Sequence, residues 1–395
     1  MRTIRQIIIV TWVFVLVWGA GVSGCSPGSG SPAASLPTDP LLQPAQITPL
    51  THASSTPDLP APHPRRELSF RYAAHTIFLD EVIAPVVAEG GFDTVVQVFP
   101  WRDLHPEPDR YDWDPADYMV RMAHAQHLDL VVRLDMPPAW AILPEEYSHG
   151  GIPFDLSAYA DFVAAVAERY RGYILGYIIW NEPNLAAEWS RSGGDVNQHW
   201  ESFDGWVARP DDYVYVLCVA YERIRAADPD ALVVAAGMAP TNEMSPRAID
   251  DREFLRGMYA AGAKECFDVL SVHDYGYGLS PEAPRELYDG LNLARILDVR
   301  DIMLSYGDDR PVWITELGYT IQPGMHPYVT EENQAAYLIG ALRRVRREWP
   351  WVEMFTVWNL CYGLPLDSEM AGFSLVAPDL TPRLAYQVLQ EEMKR

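Results

Sequence analysis

Short apolar runs of strand length recur along this chain, and between them apolar residues fall at helical spacing. The runs 71–78, 92–99, 128–134, 173–180, 231–236, 267–272, 311–315 and 354–358 predict eight strands. The segment 80–89 predicts a helix closed by Gly90-Gly91, and 114–127 a helix with Pro115 in its first turn. Further helices are predicted over 157–171 (started by Asp155 or Ser157), 210–227, 251–261 (closed by Gly262), about 284–305 and 331–348, with a last one opened by Thr381-Pro382. Alternating units of this kind and number predict a single (β/α)₈ barrel of the α/β class. An open doubly wound sheet would carry a glycine-rich phosphate loop after its first strand, and the chain has none there.

The region before the first strand reads differently. Arg2 and Arg5 precede an apolar run over 7–18, and Gly21-Val22-Ser23-Gly24-Cys25 follows, the order of a secretory signal. Cysteine after Ser-Gly resembles the lipobox of bacterial lipoproteins, which implies cleavage before Cys25 and lipidation of its thiol; Val22 stands where leucine is more usual. The alternative is an uncleaved anchor helix with an incidental cysteine. Either way the folded part is expected outside the cytoplasm, as a bacterial cell-envelope lipoprotein or a secreted protein, touching the membrane only through this segment. Residues 26–66 hold ten prolines among Ser, Thr and Ala, too little apolar surface to offset ordering entropy, so a disordered tether is expected there, with the barrel over 67–395.

Composition narrows the picture. A chain of 395 residues with 49% hydrophobic and 12% aromatic content can bury a large core. A net charge of −24 leaves no basic patch for phosphates, so no nucleic-acid partner is expected. Cys218, Cys266 and Cys361 are an odd set in apolar surroundings without metal-ligand spacing, and buried free thiols are expected in preference to a disulfide. No structural metal and no cofactor are expected.

A barrel of this kind does its chemistry at the C-terminal strand ends. This chain places His75, Gln97, Trp101, Arg133, Trp140, Asn181, Glu182, His273, Tyr275, Glu316 and Trp358 there. The fourth apolar run stops at Asn181-Glu182-Pro183, where proline cannot continue the ladder, and leaves the Glu182 side chain free to project. Glu316 ends the seventh run. Strands three apart in a ring of eight face each other across the mouth, so the two carboxylates can flank one bond. Cleavage of a sugar acetal needs such a pair, one acid to protonate the leaving oxygen and one carboxylate to meet the anomeric carbon.

Trp180-Asn181-Glu182-Pro183 and Trp313-Ile314-Thr315-Glu316-Leu317-Gly318 together resemble the retaining glycoside hydrolases of the large (β/α)₈ clan that includes cellulases, mannanases, β-xylosidases and β-galactosidases. The resemblance runs from about Arg71 onward. It implies a carbohydrate substrate, Glu182 as general acid/base, Glu316 as nucleophile and Asn181 at the sugar 2-hydroxyl. His273-Asp274-Tyr275 resembles the clan's His-x-Tyr, which implies a hydrogen bond from Tyr275 to the nucleophile and His273 bordering the sugar. Trp358 is implied as the apolar floor under the ring. The clan's arginine near the nucleophile arises early in the barrel, and Arg133, on the third strand, is the candidate here. Tyr111-Asp112-Trp113 and Pro138-Ala139-Trp140-Ala141 resemble the β-xylosidase-like branches and bring in Trp140 as a substrate-binding residue.

Other readings remain open at this point. A lipid-anchored barrel that binds carbohydrate without turnover would fit the same cleft, but not the need for a paired acid and nucleophile. A metal-dependent hydrolase would need a histidine and carboxylate cluster beyond His75 and His273. Trp189, Trp200 and Trp206 are sugar platforms or loop packing, and Glu107 and Asp135 read as solvated loop acids. Sugar identity, endo or exo action and oligomeric state are not encoded in these motifs.

Overall fold

The computed structural model describes residues 59–143, 151–189, 208–324, 327–363 and 365–394. Eight parallel strands close a barrel in chain order: β1 (Arg71–His75), β2 (Thr94–Val98), β3 (Asp129–Leu134), β4 (Ile174–Ile179), β5 (Leu232–Ala235), β6 (Val269–Tyr275), β7 (Val312–Gly318) and β8 (Val352–Val357). The main helices around them are α1 (Ile83–Glu89), α2 (Asp114–Ala125), α3 (Leu156–Arg169), α4 (Pro210–Ala227), α5 (Asp251–Ala260), α6 (Ile296–Ser305), α7 (Glu331–Glu348) and α8 (Leu384–Met393). The expected (β/α)₈ architecture is the observed one.

The strand period decides what fills the barrel. Ala73, Val96, Val131, Ile178, Val234, Val269, Trp313 and Met354 contribute one inward side chain per strand to a closed interior cluster. Trp313 needs room, and Gly176 on β4 provides it: a Cβ there would meet the indole at 3.3 Å. The alternate positions face outward and pack with the helices into the main core. Local chemistry sets the helix ends. The Asp155 carboxylate accepts from the amides of Ser157 and Ala158 to start α3, and Thr330 accepts from Asn333 to start α7.

Three expectations are corrected. The helix predicted over 284–305 is broken: Tyr288, Asp289 and Gly290 have φ of 57°, 53° and 78°, and only Ile296–Ser305 is α-helical. The Asn292 side chain explains the break, since it accepts from the Ala294 amide and donates to the Leu287 carbonyl, an alternative to helical pairing. Cys218 on α4 and Cys266, just after α5, are not free thiols; they form a disulfide with Cα atoms 4.7 Å apart. The barrel brings α4 against the turn that leads into β6, a proximity that a separation of 48 residues hides in the sequence. Cys361 alone is a free thiol among the described residues, its pKa raised by burial.

The third correction concerns the start of the domain. Residues 59–66 are compositionally part of the tether, yet they pack across the N-terminal ends of the strands. Arg65 donates to the Ile174 carbonyl at 3.0 Å, Arg66 pairs with Asp129 at 3.0 Å, and the His63 ring stacks on His124 with centroids 3.7 Å apart. Charge and stacking join the packing of Leu59 on the core in holding this segment. Among the described residues no helix is long and apolar enough to cross a membrane.

Candidate active site

The end of β4 turns its side chains by backbone geometry. Trp180 and Glu182 both adopt left-handed conformations, with φ of 74° and 35°. Bulky residues are uncommon there and are held by their surroundings. Trp180 swings out of the barrel and stacks on Phe154 and Trp189, at 4.9 and 5.0 Å between centroids. Asn181 and Glu182 then face inward, and the Glu182 amide is fixed by the Gly237 carbonyl at 3.0 Å.

Glu316 reaches the mouth by a second device. The register of β6 on β7 shifts between Val272 and His273, and that of β7 on β8 shifts between Ile314 and Leu317. Such irregularities re-aim side chains at barrel rims. His273 and Glu316 come into register as partners, and both strands run further than their apolar runs, to Tyr275 and Gly318.

The result is a buried, mutually bonded cluster. His273 Nδ1 lies 2.9 Å from Glu182 Oε1 and 3.7 Å from Glu316 Oε2. The Tyr275 hydroxyl donates to Glu316 Oε2 at 2.6 Å. Arg133 Nη1 donates to Glu316 Oε1 at 3.2 Å and to Asn181 Oδ1 at 2.8 Å. One ligating atom from each of Glu182, His273 and Glu316 lies within 4.8 Å of the others. Among the described residues this is the one set spaced to hold a metal ion, but the Arg133 guanidinium already supplies positive charge to Glu316.

These contacts decide the charge states. Burial pushes the Glu316 carboxyl up, but His273, His75, Arg133 and the Tyr275 hydroxyl outweigh it and hold the group below the ordinary carboxylate value. Burial opposes charge on His273, yet Glu316 and the bonded Glu182 raise its pKa. The Tyr275 phenol is raised well above its usual value by burial and by the charge of Glu316, so it stays a donor.

Two acids missed in the sequence belong to this network. Asp135 is not a solvated loop acid: it is buried and pairs with Arg133 Nε at 2.8 Å, holding the guanidinium between itself and Glu316. Glu188 accepts from the Asn181 amide at 3.1 Å, so Arg133 and Glu188 fix the two ends of that side chain. Burial, then the charge of Glu182, raises the Glu188 carboxyl well above its ordinary value. An acid nine residues past the end of a strand, in a βα loop, gives no sequence signal of this kind. Glu107, by contrast, is exposed and pairs with Arg110.

The remaining candidates separate. Trp358 sits at the end of β8, followed by a cis peptide to Asn359, with its ring edge-on to Phe373 and Tyr275 at 5.3 and 6.3 Å. Trp140 joins a different cluster, edge-on to Trp101 and His105 and donating to the His105 carbonyl at 3.0 Å. Trp189 is loop packing: it is fully buried and bonds the Pro183 carbonyl at 2.9 Å. Cys25, Trp200 and Trp206 lie outside the described residues.

No family model and no curated protein matches the chain in sequence. Solved structures match its fold. It is similar to a family 39 glycoside hydrolase from the gut symbiont Bacteroides cellulosilyticus WH2 at 18% identity and a TM-score of 0.60, over 83% of this chain and 64% of that one, so it spans less than two thirds of that protein. It is similar to xylanase 10B from Thermotoga petrophila RKU-1 at 16% identity and a TM-score of 0.55, over 84% of this chain and 98% of that one. A monomeric beta-xylosidase from Caulobacter crescentus CB15 gives 18% identity and a TM-score of 0.55, over 84% and 69% of the two chains. At these identities the likeness establishes the shared (β/α)₈ fold.

Proposed function

We propose that this chain is a retaining glycoside hydrolase acting on β-linked glycosides or oligosaccharides, with Glu182 as acid/base and Glu316 as nucleophile. The observation that carries the reading is the pair itself, two buried carboxylates from β4 and β7 with oxygens within 4.8 Å. Retaining enzymes hold their carboxyl groups about 5–5.5 Å apart, whereas inverting ones leave about 6.5–9.5 Å for a water. The fold neighbours named as glycosidases and xylanases support the reading. A barrel that only bound sugar would need no such pair.

In the first step Glu182 delivers its proton to the glycosidic oxygen while a Glu316 oxygen bonds to the anomeric carbon. The carbon–oxygen bond to the leaving group breaks, and an alcohol departs. In the second step Glu182, now a carboxylate, takes a proton from water as the water oxygen displaces Glu316. Glu316 suits the nucleophile role because its neighbours keep it ionised. Asn181, held by Arg133 and Glu188, presents its amide toward the 2-hydroxyl, and Trp358 offers an aromatic face to the sugar's C–H face.

Glu182→Ala and Glu316→Ala, each assayed on 4-nitrophenyl β-glycosides with added azide, test the assignment. The Glu182 variant should yield the β-glycosyl azide and the Glu316 variant the inverted azide. Unchanged activity in either variant sinks it. A panel of such glycosides with xylan, β-mannan and β-glucan then identifies the sugar. An extracytoplasmic, lipid-anchored location belongs to the same proposal, and the Cys218–Cys266 disulfide supports an oxidising compartment. The parent should incorporate labelled fatty acid and Cys25→Ala should not; equal labelling of the two overturns lipidation at Cys25.

A further inference from the structure

His75 ends β1 at the mouth of the barrel, is 4% exposed, and leaves both ring nitrogens without a hydrogen-bond partner among the described residues. The Thr76 backbone borders the ring but completes no bond by distance and angle. A buried donor and acceptor both left unmade is a cost that folded proteins seldom carry without a reason. The strand period sets His75 on the same face as Ala73, which lies in the interior cluster one layer below. β1 pairs with β8 through Ala74 and Val357, and the His75 carbonyl accepts from the Leu360 amide at 2.9 Å, so His75 stands beside the end of β8 that carries Trp358. Glu316, Arg133 and His273 act electrostatically on the imidazole, which ends β1 at the same barrel mouth as the carboxylate pair.

We infer that His75 is a specificity-determining residue that binds the hydroxyl edge of the sugar ring lying over Trp358, an inference that rests on the glycosidase reading above. A neutral imidazole carries one N–H donor and one lone-pair acceptor, a match for a hydroxyl that accepts from one neighbour and donates to another. Burial lowers the His75 pKa to about 4, which keeps the ring in that neutral form at working pH. The hydroxyl it takes is not the 2-hydroxyl, because Asn181, two residues past β4, is assigned that position from across the barrel. His75 therefore takes the 3- or 4-hydroxyl edge. The bound sugar completes both hydrogen bonds and removes the cost that the free protein bears.

The test replaces His75 by leucine, similar in volume and apolar, and by glutamine, which keeps one donor and one acceptor. Thermal unfolding, turnover of 4-nitrophenyl β-glycosides, and the rise in Tm given by saturating glucose, xylose, mannose or galactose are measured for each. His75→Leu should unfold roughly 1–3 °C above the parent, because an unsatisfied polar group is gone. It should lose roughly tenfold in kcat/KM, and His75→Gln should recover part of that loss. The loss should vanish on the 3-deoxy or the 4-deoxy glycoside and persist on the 2-deoxy one. A lowered Tm with unchanged kcat/KM makes His75 a core residue and overturns the inference, as does a loss that vanishes only on the 2-deoxy substrate. A parent that turns over no glycoside but shows a sugar-induced rise in Tm that His75→Leu abolishes defeats the glycosidase reading and sustains this one; a parent without turnover or such a rise defeats both.

Discussion

Arg133 and Glu316 form a buried ion pair across the barrel mouth, 3.2 Å between Nη1 and Oε1, joining the end of β3 to the end of β7. The pair is not isolated. Asp135 holds the other side of the guanidinium at 2.8 Å, so the arginine brings Glu316 a hydrogen bond and positive charge with its own position fixed. A buried charge without such partners would neutralise by shifting its pKa.

The first prediction concerns pH. The Glu316 pKa is depressed against burial by His273, His75, Arg133 and Tyr275. Arg133→Gln keeps a hydrogen-bond donor and removes the charge, so the Glu316 pKa must rise. The acid limb of kcat/KM, which reports the free enzyme, should move to higher pH, whereas Arg133→Lys should move it less. A depressed carboxyl also contributes stability above its unfolded value that is lost as pH falls through the folded one, so Arg133→Gln should lose stability at higher pH during acid titration. An acid limb in the same place for all three proteins removes Arg133 from the control of Glu316.

Gly237 gives a second. A Cβ there would sit 2.2 Å from His273 Cδ2 and 2.6 Å from Nε2, while the Gly237 carbonyl anchors the Glu182 amide. Gly237→Ala must displace the imidazole from the position in which its Nδ1 meets Glu182, while both carboxylates are kept. Since displacements of about 1 Å can cost 10²-fold, kcat/KM should fall by roughly 10- to 100-fold with far-ultraviolet circular dichroism unchanged. Parental kinetics would show that the His273 position does not matter.

Much of this is legible in the sequence. Eight apolar runs with helical spacers announce a barrel because strand period and caps are local properties, and Asn181-Glu182-Pro183 announces a projecting carboxylate because proline ends a ladder wherever it stands. Arg133 was found on the strand where it lies, but its span to Glu316 depends on barrel curvature, which no local pattern encodes. Asp135 and Glu188 were missed for a related reason: a loop acid reads as solvated until the fold shows what closes over it. The pairing of Cys218 with Cys266 is likewise a property of how α4 meets the turn before β6. The break before α6 could have been read from Gly290 and Asn292, since both disfavour a helix interior.

The third prediction follows from that pairing. The disulfide closes a long loop between α4 and the approach to β6, and a bridge of this kind stabilises mainly by restricting the unfolded chain, by about 2–4 kcal/mol. Replacing Cys218 and Cys266 together by alanine should lower stability by about that amount in denaturant titration, with kcat/KM unchanged because neither residue reaches the carboxylates. The reducing agent dithiothreitol should bring the parent to the same midpoint and leave the double variant unaffected. A parent indifferent to reduction would mean that the bridge does not form.

The last prediction separates the two jobs of Glu188. As an acceptor it fixes the Asn181 amide, which needs an oxygen and no charge; as a buried acid it has a raised pKa, from burial and then from Glu182. A raised folded pKa contributes stability that is fully present below the unfolded carboxylate value and is lost as pH rises toward the folded one. Glu188→Gln keeps the oxygen and cannot ionise. The variant should match the parent in kcat/KM near the acid side of the profile and lose less stability than the parent as pH is raised from about 4.5 upward. Glu188→Ala should lose kcat/KM on glycosides bearing a 2-hydroxyl and much less on the 2-deoxy analogue, because the amide it releases is the one proposed to serve that position. A Glu188→Gln variant as inactive as Glu182→Ala would instead make the third carboxyl a participant in proton transfer, and parallel stability curves for parent and glutamine variant would show that Glu188 contributes no pH-dependent stability.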